Sequence, residues 1–296
     1  MALPERTKLR RTVREGSEAT SAWRRDEGRC CRGRGGAGGL LGAYHAAHAG
    51  LEVLLLDQHE SHQDRADGDA LFPRAVAEVS LMGLADWLKR PNYYKYEGIV
   101  VYARTAHLCE PNSPTNRHGV RGYVIPWYET ATRLLERARE AGTTFRGGVR
   151  ARSLLRSASS AVSGVEVGEY GPGGAAPRGE TMRHEAPLVI VADGAGDFAG
   201  DEGTKAPSTG VTRRQYFTGV DGPEKDHLHV LQADSLNGIG AGYVYYLGDG
   251  RAAVGNSVWT RAVADRPETL REGFDRMMGE APLDGWLRDA APASEA

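Results

Sequence analysis

The chain has few cysteines, few phenylalanines and no long apolar run, and each shortage excludes something. Three cysteines, Cys30, Cys31 and Cys109, are too few for a disulfide framework, and the adjacent pair lacks metal-ligand spacing. They point to a reducing, cytoplasmic setting. The longest apolar stretches, such as Leu188-Ala192, fall far short of the roughly 20 residues that a membrane-spanning helix needs. Peripheral contact is the form of membrane association that this leaves. The N-terminal stretch has no apolar core of signal-peptide length. It is basic, with ten Lys or Arg against five Asp or Glu in residues 1–34, but Trp23 is its one aromatic residue and it has no helical period. A nucleic-acid partner is therefore not expected. One more absence matters: no apolar strand precedes the first glycine-rich stretch.

That stretch, Gly33-Arg-Gly-Gly-Ala-Gly-Gly39, is the most informative part of the sequence. Gly33, Gly35 and Gly38 satisfy G-x-G-x-x-G, and a helical pattern, the apolar run Leu51-Leu56 and Asp57 follow. In a dinucleotide fold, glycines let the backbone approach a pyrophosphate, and the next helix presents unpaired N–H groups to it. An acid roughly 20 residues on accepts hydrogen bonds from a ribose.

Further along, small and apolar residues predict a helix over Leu40-Ala49 and a buried strand over Leu51-Leu56. Pro73 opens a second helix and Gly83 closes it. Tyr96-Tyr102 reads as one strand, and Thr130-Glu140 as an amphipathic helix with Ala131, Leu134, Leu135 and Ala138 on one face. Val165-Val167 and Leu188-Val191 read as further strands. Beyond about residue 210 strands dominate: Gly210-Val220, His227-Gln232, Gly242-Leu247 and Ala252-Trp259, the last two joined at Gly248-Asp249-Gly250. Arg266-Gly279 reads as helical. The fold class is α/β, in part α+β, with a Rossmann-like nucleotide-binding domain interleaved with a mixed or antiparallel sheet domain. The expected division is a polar, disordered arm over 1–32, a cofactor domain over 33–90 and 121–200, a sheet-rich substrate domain over 91–120 and 205–280, and a polar tail over 281–296. His227 and His229 share a strand face, but without a third ligand in view the reading is a surface strand and no metal site.

Several segments together resemble one family. Gly38-Gly39 through Tyr44 and Gly50 to Asp57 is similar to the opening of FAD-dependent oxidoreductases of the geranylgeranyl reductase family, within the para-hydroxybenzoate-hydroxylase-like flavoproteins. Asp64-Arg-Ala-Asp-Gly68-Asp69-Ala-Leu-Phe-Pro73-Arg74-Ala-Val76 resembles the loop written R-D-K-x-C-G-D-x-L-x-P-R-A-V. Gly122-Tyr-Val-Ile-Pro126 through Ala138 resembles the segment after it, and Val189-Ile-Val-Ala-Asp193-Gly194-Ala195 resembles the A-D-G motif. Gly242-Tyr243-Val-Tyr245-Tyr-Leu247 looks like the signature Y-x-W-x-F-P. The resemblance implies bound FAD, with NADPH or another electron donor, and an apolar small-molecule substrate. It places Gly36, Gly38, Gly39, Asp57, Gly68, Asp69, Asp193 and Gly194 around the cofactor, and Tyr243 and Tyr245 at the substrate. From the residues alone, Asp69 also reads as a cap for the helix starting near Pro73.

The sequence departs from the family in places. Aligned on Tyr44, Arg34 stands where the first glycine belongs, with Gly36 and Gly39 as the second and third. Glu27-Gly-Arg-Cys-Cys-Arg32 replaces the apolar first strand, so the parallel sheet is expected to lack a central member. Asp67 replaces the loop cysteine, Tyr245 the signature tryptophan, and no G-D-A-A-G segment occurs before Ala296. Three readings follow: a reductase of carbon–carbon double bonds in an isoprenoid or similar apolar substrate, a flavin monooxygenase acting on an aromatic or polyketide substrate, and a truncated derivative without catalysis. No catalytic residue is assigned.

Overall fold

The computed structural model describes residues 29–33, 36–62, 68–103, 106–110, 119–169, 178–194, 210–236, 239–261 and 269–294, with only the backbone described for 29–33, 106–110 and 178–180. The first unit is built on a parallel sheet of β1 (Arg29–Gly33), β2 (Val53–Leu56), β8 (Thr143–Arg146) and β12 (Val189–Ala192), in the order β12-β1-β2-β8. One face carries α1 (Ala37–His48) and α3 (Trp127–Glu140). Helix α1 buries Gly39, Leu40, Ala43, Tyr44 and Ala47, and α3 buries Ala131, Leu134, Leu135 and Ala138. Small residues on α1 let the two helices and the sheet approach closely. The other face meets an antiparallel sheet of β9 (Val149–Arg156), β10 (Val162–Glu169) and β11 (Arg178–Glu185), where Leu56, Val149, Val165, Val167 and Ala186 form a core.

Strand β1 corrects two expectations, the missing first strand and a disordered arm reaching residue 32. Residues 29–33 lie at the centre of the parallel sheet, with Cys31 opposite Leu55 on one side and Ile190 on the other. A search for apolar runs misses it because backbone hydrogen bonds define a strand, and here the two flanking strands supply the apolar sequence.

A small sheet of β3 (Ala70–Leu71), β4 (Tyr94–Tyr96) and β7 (Gly122–Val124), ordered β3-β7-β4, lies beside α2 (Pro73–Val79). It packs on the second unit, a seven-stranded sheet in the order β17-β13-β16-β15-β14-β5-β6. Those strands are β5 (Gly98–Ala103), β6 (Ala106–Glu110), β13 (Gly210–Thr218), β14 (His227–Gln232), β15 (Gly240–Tyr246), β16 (Arg251–Trp259) and β17 (Ala291–Pro292). Tyr96-Tyr102 is therefore not one strand. The chain leaves the small sheet at Tyr96 and joins the large one at Gly98, a change of partner that side-chain pattern does not reveal. Gly248-Asp249-Gly250 makes the expected turn, with Gly250 at φ +84 and Leu247 N–H bonded to Arg251 O at 2.8 Å.

Period-two alternation divides the large sheet into two faces. Val100, Tyr102, Leu231, Val244, Tyr246, Val254 and Val258 face α4 (Leu270–Met278) and α5 (Leu283–Trp286). Helix α4 starts at a capping box in which Thr269 Oγ1 accepts from Glu272 N–H and the Glu272 carboxylate accepts from Thr269 N–H. Tyr216, Leu228, Tyr245 and Ala253 face the other way, toward the small sheet. Residues 281–294 are not a free tail: Leu283 and Trp286 enter the core, Ala291–Pro292 pairs with β13, and Tyr216 N–H donates to Ser294 Oγ at 2.9 Å. His229 is not on the surface either. It is fully buried between the rings of Tyr102, Tyr246 and Trp286, with Nε2 3.1 Å from Glu224 O. Among the described residues no His, Cys, Asp or Glu cluster suits a metal ion, and no helix is long and apolar enough to cross a membrane.

Candidate functional site

The register of the parallel sheet brings the glycine turn and two acids to one edge. Gly33 at the end of β1 pairs with Ala192, and Arg32 pairs with Leu56. Asp193 and Asp57, each one residue beyond its strand, therefore stand on opposite sides of the end of β1. This carboxyl edge of the central strand is where open α/β sheets bind ligands. Arg34 and Gly35 lie outside the described residues. Gly36 is the N-cap of α1 and has no side chain to bond the first-turn amides, the first turn holds no acid, and Leu40 N–H donating to Gly36 O begins the helical ladder. The amides of Ala37, Gly38 and Gly39 precede that ladder, so they and the positive end of the helix dipole face outward. Gly38 lies against β12, where a Cβ would stand 3.8 Å from that of Ala192.

Both acids are buried, Asp57 at 2% exposure and Asp193 at 9%. Asp57 is pinned by its backbone: its N–H donates to Arg146 O, its carbonyl accepts from Val149 N–H, and its Oδ1 accepts from His59 N–H at 2.7 Å. Gly194 has φ +64, with open space where a Cβ would stand. An uncapped helix start flanked by two buried acids suits a diphosphate carrying ribose hydroxyls. The residues present fit such a group.

The second half of the site lies between the small sheet and the large one. Gly68, at φ +56, sits against the Trp127 ring. Asp69 is fully buried, and its Oδ1 accepts from Trp127 N–H and from the Tyr216 hydroxyl, both at 2.8 Å. Asp69 is thus a helix cap, but for α3 and not for the helix beginning at Pro73. The antiparallel pairing of Ala70–Leu71 with Tyr123–Val124 and the bond from Ile125 N–H to Asp69 O bring it to the start of α3.

Tyr243 and Tyr245 are stacked 5.4 Å apart and 7° from parallel on the face that Tyr216 shares. Burial, with Tyr243 and Asp69 adding to it, raises the Tyr245 pKa far above the usual phenol value, while a hydrogen bond with Arg214 opposes the rise. Arg251, held by Asp249, stacks over the Tyr216 ring at 4.5 Å. Sequence reasoning missed Tyr216, Arg214 and Trp127. The alternation that places Tyr243 and Tyr245 on one face also places Arg214 and Tyr216 on one face. What was missing was the register aligning β13 with β16, where Tyr216 stands opposite Ala253, and thence with β15.

No protein-family profile matches the chain. It is 28% identical over 242 residues to a menaquinone reductase of Mycolicibacterium smegmatis, covering 79% of this chain and 55% of that protein. A menaquinone reductase of Mycobacterium tuberculosis is 27% identical over 251 residues, covering 80% and 56%. The chain thus spans little more than half the length of these relatives. Among solved structures, an FAD-dependent myxobacterial chondrochloren halogenase superposes with a TM-score of 0.72 at 18% identity, covering 91% of this chain and 61% of that one. A geranylgeranyl bacteriochlorophyll reductase-like protein from Thermoplasma acidophilum gives 0.69 at 20% identity, with 90% and 64% covered. These likenesses establish the fold as that of Rossmann-type FAD-binding flavoproteins.

Proposed function

We propose that this chain is a flavoprotein oxidoreductase that binds FAD and reduces a carbon–carbon double bond in an isoprenoid or similar apolar substrate, of which a prenylated quinone is the first to test. The observation that carries the reading is the placement of Asp57 and Asp193 on either side of the uncapped start of α1. Similarity to two menaquinone reductases supports the substrate class.

In this reading the first-turn amides of α1 hold the pyrophosphate and Asp57 accepts from the adenosine ribose. Asp193 and Gly194 lie at the other flank of the diphosphate. Reduced FAD supplies the hydride when bound. The protein's part is to hold the substrate: Tyr243, Tyr245 and Leu228 line an aromatic and aliphatic wall. Reduction of the alkene would take the flavin's hydride on one carbon and, with no residue assigned as donor, a proton from solvent on the other.

The test begins with the visible spectrum of the purified chain, before and after incubation with FAD. The full reaction supplies chemically reduced flavin and a short-chain prenylated quinone in detergent, with products identified by mass. A product gaining two hydrogens is expected. Incorporation of labelled oxygen would establish the monooxygenase reading instead. A colourless protein that takes up no FAD would reject the enzyme reading in favour of a non-catalytic derivative.

A further inference from the structure

We infer that Asp69 is a positioning residue whose single oxygen Oδ1 clamps the small sheet and α3 to the large sheet, setting the Gly68-Asp69 loop against the tyrosine face. This rests on the flavoprotein reading above, which puts the substrate against Tyr243 and Tyr245.

The two bonds to Oδ1 come from opposite sides. Trp127 N–H belongs to the first turn of α3, beside the parallel sheet, and Tyr216 belongs to the seven-stranded sheet, 147 residues from Asp69 in sequence. Both Asp69 and Tyr216 are fully buried, so neither bond competes with bulk water. A charged acceptor in that setting forms the stronger kind of hydrogen bond. Each partner is held rigidly in turn. Asp69 is fixed by Ile125 N–H on its carbonyl, and Tyr216 by Ser294 on its amide, by Ala293 N–H on its carbonyl and by Arg251 over its ring. The strand that carries Tyr216 pairs with β16, and β16 pairs with β15, which carries Tyr243 and Tyr245. A displacement of Tyr216 relative to Asp69 therefore moves the tyrosine face relative to the loop. The Tyr216 bond would have to adjust for the small sheet, with α3, to slide on the large one.

The clamp is tested with Tyr216→Phe, which deletes one hydroxyl, and with Asp69→Asn beside Asp69→Ala. In the absence of added flavin, amide hydrogen exchange around Trp127 is expected to quicken roughly tenfold in Tyr216→Phe, the scale of losing one hydrogen bond to a charged group. With FAD bound, Tyr216→Phe should keep the FAD dissociation constant within about threefold, because α1 and Asp57 are untouched, an interval well inside one hydrogen bond's worth. Visible circular dichroism of the flavin should change, and kcat should fall more than KM rises. Asp69→Asn, which keeps an acceptor oxygen, should recover much of what Asp69→Ala loses. Unchanged exchange at Trp127 overturns the clamp. Changed exchange with wild-type flavin dichroism and kinetics overturns the positioning role and leaves a merely structural bond. A wild-type chain that takes no FAD overturns the flavoprotein reading instead, while the exchange experiment still decides whether the clamp exists.

Discussion

The phenol ring of Tyr243 lies directly over Gly255, its neighbour across the β15–β16 pairing, and occupies the space that a Cβ at position 255 would need. The absence of a side chain on one strand is what lets the aromatic ring of the next lie flat and stack on Tyr245. Gly255→Ala should therefore displace Tyr243 and break the stack. Overpacking of this kind costs about 1–3 kcal/mol. The expected result is a raised KM for the apolar substrate with FAD affinity unchanged, read by steady-state kinetics and flavin titration. Unaltered kinetics would remove Tyr243 from the substrate wall.

At the other end of the site, Gly36 offers a substitution with opposed effects on stability and ligand affinity. Gly36→Asp would add the side-chain cap that α1 lacks and place a negative charge at the positive end of its dipole, a gain of a few tenths of a kcal/mol in the free protein. The same carboxylate would occupy the first-turn amides and repel a pyrophosphate. FAD affinity should fall at least tenfold, about 1.4 kcal/mol, while the melting temperature of the flavin-free chain holds or rises. If affinity survives, the pyrophosphate does not sit on α1.

Alkaline pH should unfold the protein through its buried tyrosines. Burial raises the pKa of Tyr93, Tyr96 and Tyr246 to about 12, and at Tyr93 the bond donated to Glu129 adds to the shift. A folded-state pKa above the unfolded value means that the folded state keeps its protons longer. Stability is thus fully present below about pH 10 and declines toward pH 12, by about 1.4 kcal/mol per pH unit for each such group. The Tyr96 hydroxyl has no hydrogen-bond partner among the described residues. Tyr96→Phe should accordingly leave stability at pH 7 nearly unchanged and make the alkaline decline shallower by one proton, measured by denaturant titration at successive pH values. A slope identical to wild type would show that Tyr96 does not titrate in that range.

Asn256 is a buried polar group whose position serves packing. It is fully buried on the helix-facing side of β16, between Arg213 and Gly242 in register, and neither amide atom has a hydrogen-bond partner among the described residues. An unsatisfied buried amide costs about 1–3 kcal/mol. Asn256→Val, suited to a strand, should raise stability by about 1–2 kcal/mol and the melting temperature by a few degrees. A loss of that size would show that the amide is satisfied in solution.

Legibility from sequence differed between the two ends of the site. The elements at the proposed nucleotide end were readable because they are local: a glycine turn, the helix after it, and an acid one residue beyond a strand. Asp57 was singled out this way, and Asp193 through the resemblance of Val189-Ile-Val-Ala-Asp193-Gly194-Ala195 to the A-D-G motif. The strand at Arg29–Gly33 was not, since its composition is polar and its place in the sheet comes from backbone pairing with Val53–Leu56 and Val189–Ala192. Residues 281–294 were misread for a similar reason. Their average is polar, yet Leu283 and Trp286 enter the core and Leu287 and Ala290 pack against it.

Sequence by itself determined the α/β order, the glycine stretch that leads into α1, and the sharing of one strand face by Tyr243 and Tyr245, because helix and strand periods and glycine conformation are local physics. Only the tertiary structure decided what Asp69 does. Beside Pro73 it reads as a cap for the following helix, but the pairing of Ala70–Leu71 with Tyr123–Val124 carries it to α3, and the large sheet brings Tyr216 to the same oxygen. Register between strands far apart in sequence depends on the packing of whole faces, and no local pattern encodes it.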